Sequence, residues 1–188
     1  MLTSIKKLAA DYAAEFIAVR QHLHAHPELS FVEFDTSRYI QQKLQDWHIT
    51  FEVMAETGVV GLIKGKNPEK RVIALRADID ALPITETNDM PYKSVNPGVM
   101  HACGHDVHTT CLLGAAKILN ETKDEWEGTI KLIFQPGEEK NPGGASLMIK
   151  AGVLENPIPE KIFGLHVHPG MEVGTFSFRG GMVMASAD

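Results

Sequence analysis

Three short apolar runs constrain the fold more than any other feature of the chain. Residues 71–76 (RVIALR) form a continuous apolar run between charges, the mark of a strand buried on both faces. Residues 129–135 (TIKLIFQ) read as a second buried strand, and residues 161–167 (KIFGLHV) as a further one. Between them lie helical segments. Residues 104–119 carry the apolar stripe Leu112, Leu113, Ala116 and Leu119, and residues 145–151 form a short helix with Gly152 as its stop. This alternation predicts an α/β protein: a mixed, mostly parallel sheet flanked by helices.

The N-terminal third fits the same class. Residues 4–24 place Ile5, Leu8, Ala9, Tyr12, Phe16, Val19 and Leu23 at helical spacing, with Thr3 or Ser4 as N-cap, until His26-Pro27 breaks the run. A second helix spans 35–47, with Tyr39, Ile40, Leu44 and Trp47 on one face. Residues 50–53 and 58–64 are short and β-branched, so they read as strands, and 67–70 is a turn.

With 188 residues, the chain is long enough for one domain with a sizeable core. The 18 basic and 24 acidic residues leave a net charge of -6, which argues against a nucleic-acid partner. Lys6, Lys7, Asp11, Glu15 and Arg20 interrupt the first twenty residues, so these do not read as a signal peptide. No apolar run is long enough to span a bilayer, and the expected location is cytoplasmic. In that setting Cys103 and Cys111 are metal-binding, catalytic or buried rather than disulfide-bonded. Cys111 falls among apolar neighbours of a helix and reads as core.

Chemistry-bearing residues gather at the strand exits, where open α/β sheets bind ligands. RADID offers Asp78 and Asp80, QPGEE offers Glu138 and Glu139, and LHVH offers His166 and His168. HACGHD, just before a helix, offers His101, Cys103, His105 and Asp106. Any one of these clusters reads as a capped turn or solvated side chains; four at the exits of one sheet do not. Cysteine, histidine and carboxylate together are the donor set of zinc and its neighbours. Cys103 and His105 are two apart, so an extended segment aims both the same way, and Gly104 lets the backbone turn close to an ion. A local turn at Glu138–Glu139 would let one carboxylate bind metal while the other faces a water, a division of labour suited to hydrolysis. The chain has no HExxH helix, GxSxG elbow, Walker loop or CxxC pair. A cysteine nucleophile at Cys103 is the rival reading, but it leaves the carboxylates idle.

RQHLHAHPELSF, RADIDALPI, MHACGHDVHTT, FQPGEE and GLHVHP, in this order, resemble the di-metal amidohydrolases of the aminoacylase/carboxypeptidase superfamily, closest to the branch of hippurate and N-acyl-amino-acid hydrolases. The resemblance implies a zinc-peptidase-like catalytic domain holding two divalent transition-metal ions: zinc, manganese, cobalt or nickel. It implies Cys103, His105, Glu139 and His166 as metal ligands, Cys103 as a bridge between the ions, and Glu138 as the general base. Asp78, Asp80, His101 and Asp106 would support these ligands from behind, with His108. The implied substrate is a small N-acylated amino acid or a short peptide-like amide.

Members of that superfamily run on beyond the residue matching Asp188. They insert a smaller lid domain, often used for dimerisation, and then return to complete the sheet with one more histidine ligand. The resemblance therefore makes residues 1–183 the N-terminal portion of the catalytic domain, with the C-terminal part of the fold missing, and residues 184–188 the start of the connection to the lid. On that reading the chain is a fragment of a longer enzyme, a truncated gene product, or a half-protein that needs a partner chain. Each version predicts an exposed apolar sheet edge. Each also sets up a rival to catalysis, a metal-binding remnant.

Overall fold

The apolar runs pair into one sheet. The computed structural model describes residues 1–178 and 180–181. Helices α1 (Leu2–Asp11), α2 (Ala13–Ala25) and α3 (Phe34–Asp46) precede strands β1 (Thr50–Met54), β2 (Gly58–Lys64) and β3 (Val72–Asp78). Then come α4 (His105–Glu121), β4 (Thr129–Gln135), α5 (Gly144–Lys150) and β5 (Lys161–Gly164). The strand order is β1-β2-β4-β3-β5. β3 pairs in parallel with both β4 and β5, while β2 runs antiparallel to both β1 and β4. The sheet is therefore mixed, with β2 alone reversed.

Alternation along the strands divides the core between two faces. Val59 and Ile63 of β2 and Leu132 and Phe134 of β4 join α2, α3 and α4 in the larger cluster, around Leu23, Ile40, Leu44 and Leu113. Val60 of β2, Ala74 of β3 and Ile133 of β4 turn to the other face and meet Met148 and Val153, in and just beyond α5. Lys131 lies in the middle of β4 and is buried. Its ammonium donates to the carbonyls of Val153 (2.8 Å) and Glu155 (2.6 Å), which satisfies a charge the interior would otherwise reject.

The structure departs from the sequence reading in several places, beginning with the first N-cap, which is Met1 rather than Thr3 or Ser4. The first helix is two helices, broken at Tyr12, where no proline or glycine signals a break. The Tyr12 hydroxyl donates to Glu121 of α4 and the Lys117 ammonium sits 3.7 Å from its ring, so packing on α4 sets the bend. The last strand stops at Gly164, and residues 165–167 leave the sheet. Cys111 is exposed rather than core. The buried face of α4 repeats through His105, His108, Thr109, Leu112, Leu113 and Ala116, and Cys111 falls outside that stripe. Residues 182–188, which include the start of the connection to a lid, lie outside the described residues.

Candidate metal centre

β4, β3 and β5 run in parallel, so their C-terminal ends open on one edge of the sheet. β3 ends at Asp78, with Asp80 two residues on, and both side chains are buried. β4 leads into the turn of Pro136, Gly137, Glu138 and Glu139. Gly137 has φ +52°, and a β-carbon there would lie 2.2 Å from the Phe31 ring, so the turn is pressed tightly onto the loop before α3. Just beyond β5 stands His166. α4 begins at His105, after Gly104 at φ +82°. A β-carbon on Gly104 would meet Val167 at 2.4 Å, and its absence lets the segment carrying His166 lie across the start of α4. Cys103 and His105 are thus brought together by a turn into a helix, not by the extended segment their spacing suggested.

His105 is the hub. Its Nδ1 donates to the Asp80 carbonyl (2.9 Å) and faces the Asp80 carboxylate (3.1 Å). Nε2 is buried and has no hydrogen-bond partner. It faces Glu139 and Asp78, each at 3.7 Å. Potential ligand atoms of Cys103, His105 and His166 lie within 4.8 Å of one another, as do those of His105, Glu138 and Glu139, and those of Asp78, His105 and His108. The Cys103 sulfur is 3.3 Å from His166 Nε2. His168 joins no such group among the described residues.

This arrangement fits a metal. With its proton fixed on Nδ1 by Asp80, His105 presents the Nε2 lone pair to the thiol and carboxylates, the usual posture of a metal-ligating histidine. His108, by contrast, has both nitrogens engaged. Nδ1 donates to Asp78 (2.7 Å) and Nε2 accepts the Val167 N–H (2.9 Å), so it supports the segment that carries His166.

The local charges point the same way. Burial pushes the Asp78 carboxyl up, but the hydrogen bond from His108 and the charges of His105 and Arg76 outweigh it and hold the group at about 2. Asp80 is likewise lowered against its burial by His105, the Glu139 amide and Ser30. Burial lowers the His105 imidazole, yet Asp80, Asp78 and Glu139 raise it overall. A cation at Nε2 would replace the proton these carboxylates favour. Burial, with Glu139, Glu138 and Asp78 nearby, pushes the Cys103 thiol up to about 12. A bound dication reverses that bias and deprotonates a coordinating thiol outright. Burial and the neighbouring Glu139 raise Glu138.

Behind the hub lies a polar network that sequence reasoning largely missed. His24 of α2 sits between two buried carboxylates, with Nδ1 on Asp106 (2.8 Å) and Nε2 on Glu86 (3.0 Å). Arg20 also meets Asp106, at 2.9 Å. The Asp106 hydrogen bond chiefly raises the His24 pKa, and two acceptors on opposite ring nitrogens favour the imidazolium. His101 is buried with neither ring nitrogen partnered, and burial lowers it to about 4. Ser30 donates to Asp80 (2.6 Å), and Glu33 accepts the Gly137 N–H (2.7 Å). His24 and Ser30 lie inside RQHLHAHPELSF, a motif that carried resemblance but no assigned chemistry. Glu33 and Glu86 gave no signal beyond being lone acids in loops. A separate cleft of about 480 Å³, lined by His22, His26, Glu28 and Tyr39 among others, shares none of these residues.

Comparison with known proteins matches residues 74–181 to the model of peptidase family M20/M25/M40. The chain belongs to this family. Its relatives include an N-acyl-L-amino acid amidohydrolase of Geobacillus stearothermophilus, 44% identical over 185 residues, covering 98% of this chain and 49% of that protein. An N-acetyl-L-cysteine deacetylase of Bacillus subtilis is 46% identical over 175 residues, covering 93% of this chain and 41% of that protein. Among solved M20 structures, a dinuclear metal-binding peptidase of Bacillus subtilis superposes with a TM-score of 0.82 at 44% identity, covering 88% of this chain and 46% of that one. The chain spans about half the length of the relatives it matches. Among the described residues no helix is long and apolar enough to cross a membrane.

Proposed function

We propose that this chain carries the metal-binding half-site of an amidohydrolase that cleaves N-acylated amino acids or related small amides. The observation that carries the reading is the unpartnered Nε2 of buried His105, facing Glu139 and grouped with Cys103, His166 and Glu138. Cys103, His105, Glu139 and His166 would hold two divalent transition-metal ions, zinc, manganese, cobalt or nickel. Bound there, such ions polarise an acyl carbonyl and acidify water.

The chain's own residues do the rest. Asp80 fixes the tautomer of His105, and Asp78 supports His108 beneath the His166 segment. Glu138 takes a proton from the attacking water and returns it to the departing amine nitrogen as the C–N bond breaks. The water oxygen bonds to the acyl carbon, and the products are a carboxylic acid, which then ionises to water, and a free amine. The amidohydrolase and deacetylase names of the relatives support the substrate class.

A second reading is favoured by one observation: Phe163, Phe176 and Phe178, on and beyond edge strand β5, are 56%, 86% and 90% exposed. In it, residues 1–183 are the N-terminal portion of a catalytic domain, and further polypeptide covers this edge and completes the centre. Chelation separates both readings from a cysteine hydrolase. Loss of N-acetyl-amino-acid hydrolysis in EDTA, restored by zinc or manganese, supports metal catalysis. Hydrolysis indifferent to EDTA but blocked by thiol alkylation rejects it.

A further inference from the structure

We infer that Glu33 is a positioning residue for the Glu138–Glu139 turn, resting on the metal-centre reading above. Glu33 is fully buried in the loop before α3, yet has no place in the chemistry described so far. One carboxylate oxygen accepts the Gly137 N–H at 2.7 Å, and the other accepts the Thr57 hydroxyl at 2.7 Å. It thereby joins the turn after β4 to the tip of the β1–β2 hairpin.

The contact is placed to matter. On the far side of Glu138, the Glu139 N–H donates to Asp80 at 3.0 Å. Two buried carboxylates thus grip the backbone on either side of the proposed base. Asp80 also holds His105, so its grip ties the turn to the metal hub. Glu33 fixes the other end, where Gly137 adopts φ +52° against the Phe31 ring. A buried carboxylate is costly to desolvate, and burial indeed pushes Glu33 up. An apolar residue filling the same space would support ordinary packing, but not this turn amide. Only an acceptor of this length reaches Gly137 and Thr57 together. Release of the Gly137 amide would let the turn relax and carry the Glu139 carboxylate away from His105 Nε2.

The test uses Co²⁺ as the probe, titrated into the wild-type chain, Glu33→Gln, Glu33→Ala and Glu33→Asp, with circular dichroism as the control for folding. Binding is read from affinity and from the visible d–d spectrum, which reports ligand geometry. Glu33→Gln keeps an acceptor for Gly137 and a polar atom for Thr57, so it should bind with wild-type affinity and spectrum. Glu33→Ala should weaken Co²⁺ binding by about 10–100-fold, the usual cost of losing a residue behind the ligands, and change the spectrum. Glu33→Asp, one methylene short, should also weaken binding, and it replaces Glu33→Ala as the deciding variant if the alanine chain does not fold. Wild-type affinity and spectrum in folded Glu33→Ala or Glu33→Asp would overturn the role, as would equal losses in the Gln and Ala variants. A folded wild-type chain that binds no Co²⁺ removes the metal centre itself, and this role with it.

Discussion

The candidate centre has two sectors built differently. Asp78, Asp80, His105 and His108 are buried at the junction of β3 and α4, and each is held by at least one partner within 3.1 Å. Glu138 and His166 are exposed, Cys103 is half-buried, and all three sit on turns or loops beyond the sheet edge. The first sector is fixed by the fold before any ion arrives. The second is brought to the ion by its backbone, through Gly104, the Gly137 turn and the Val167 amide. The difference separates what folding costs from what catalysis needs. Damage to the buried sector should register in stability and metal binding together, whereas damage to the exposed sector should register in chemistry or metal binding alone.

The largest effect belongs to the exposed sector. Glu138→Gln should lower hydrolysis of an N-acetyl amino acid by about 10²–10⁴-fold, the scale of a lost general base, while metal content stays at the wild-type level. Normal turnover in that variant rejects the role.

Asp80 and His166 then set the sectors against each other. Asp80→Ala removes the buried carboxylate that faces His105 and accepts from Ser30 and the Glu139 amide, leaving His105 only the backbone carbonyl, so chemical denaturation should show a loss of about 3 kcal/mol together with weaker metal binding. His166→Ala should weaken metal binding but leave unfolding within about 0.5 kcal/mol of wild type, as expected for an exposed side chain. Equal stability losses in the two variants would erase the distinction.

Acid should dismantle the buried sector first. The folded pKa of Asp78, about 2, lies below its ordinary value of 3.8. Its contribution is therefore fully present above pH 3.8 and is lost as the pH falls through about 2. The shift corresponds to about 2 kcal/mol. Stability of the metal-free chain, measured from pH 5 downward, should drop across this window, and Asp78→Asn should flatten the drop.

The smallest effect is a contrast of cysteines. Cys103→Ser should lower metal occupancy, whereas exposed Cys111→Ser should change neither occupancy nor, beyond about 0.5 kcal/mol, stability.

Much of this organisation was legible in the sequence, and the limits have physical causes. Residues 71–76 and 129–135 were readable as buried strands because an uninterrupted apolar run has few other places to go. The residue groups at the strand exits were readable because their chemistry is unusual for solvated turns. Pairing order was not readable: β2 precedes β3 in sequence yet pairs with β4, a choice made by the packing of whole elements. The break at Tyr12 follows from contacts with α4, about a hundred residues away in sequence. Cys111 reads as core from its neighbours' composition, whereas the helical repeat of α4 turns it outward. Glu33 resembles any loop glutamate until its partners, 24 and 104 residues distant, are folded against it.

Every role proposed for these residues depends on the free Nε2 of His105 and the groups around it holding divalent metal. Metal content per chain, measured by mass spectrometry on protein purified without chelator, tests this most directly. The expected result is transition metal at a roughly stoichiometric ratio to the chain, sharply reduced in His105→Ala. A folded wild-type protein that carries no metal and takes up neither zinc nor manganese when these are added would contradict it.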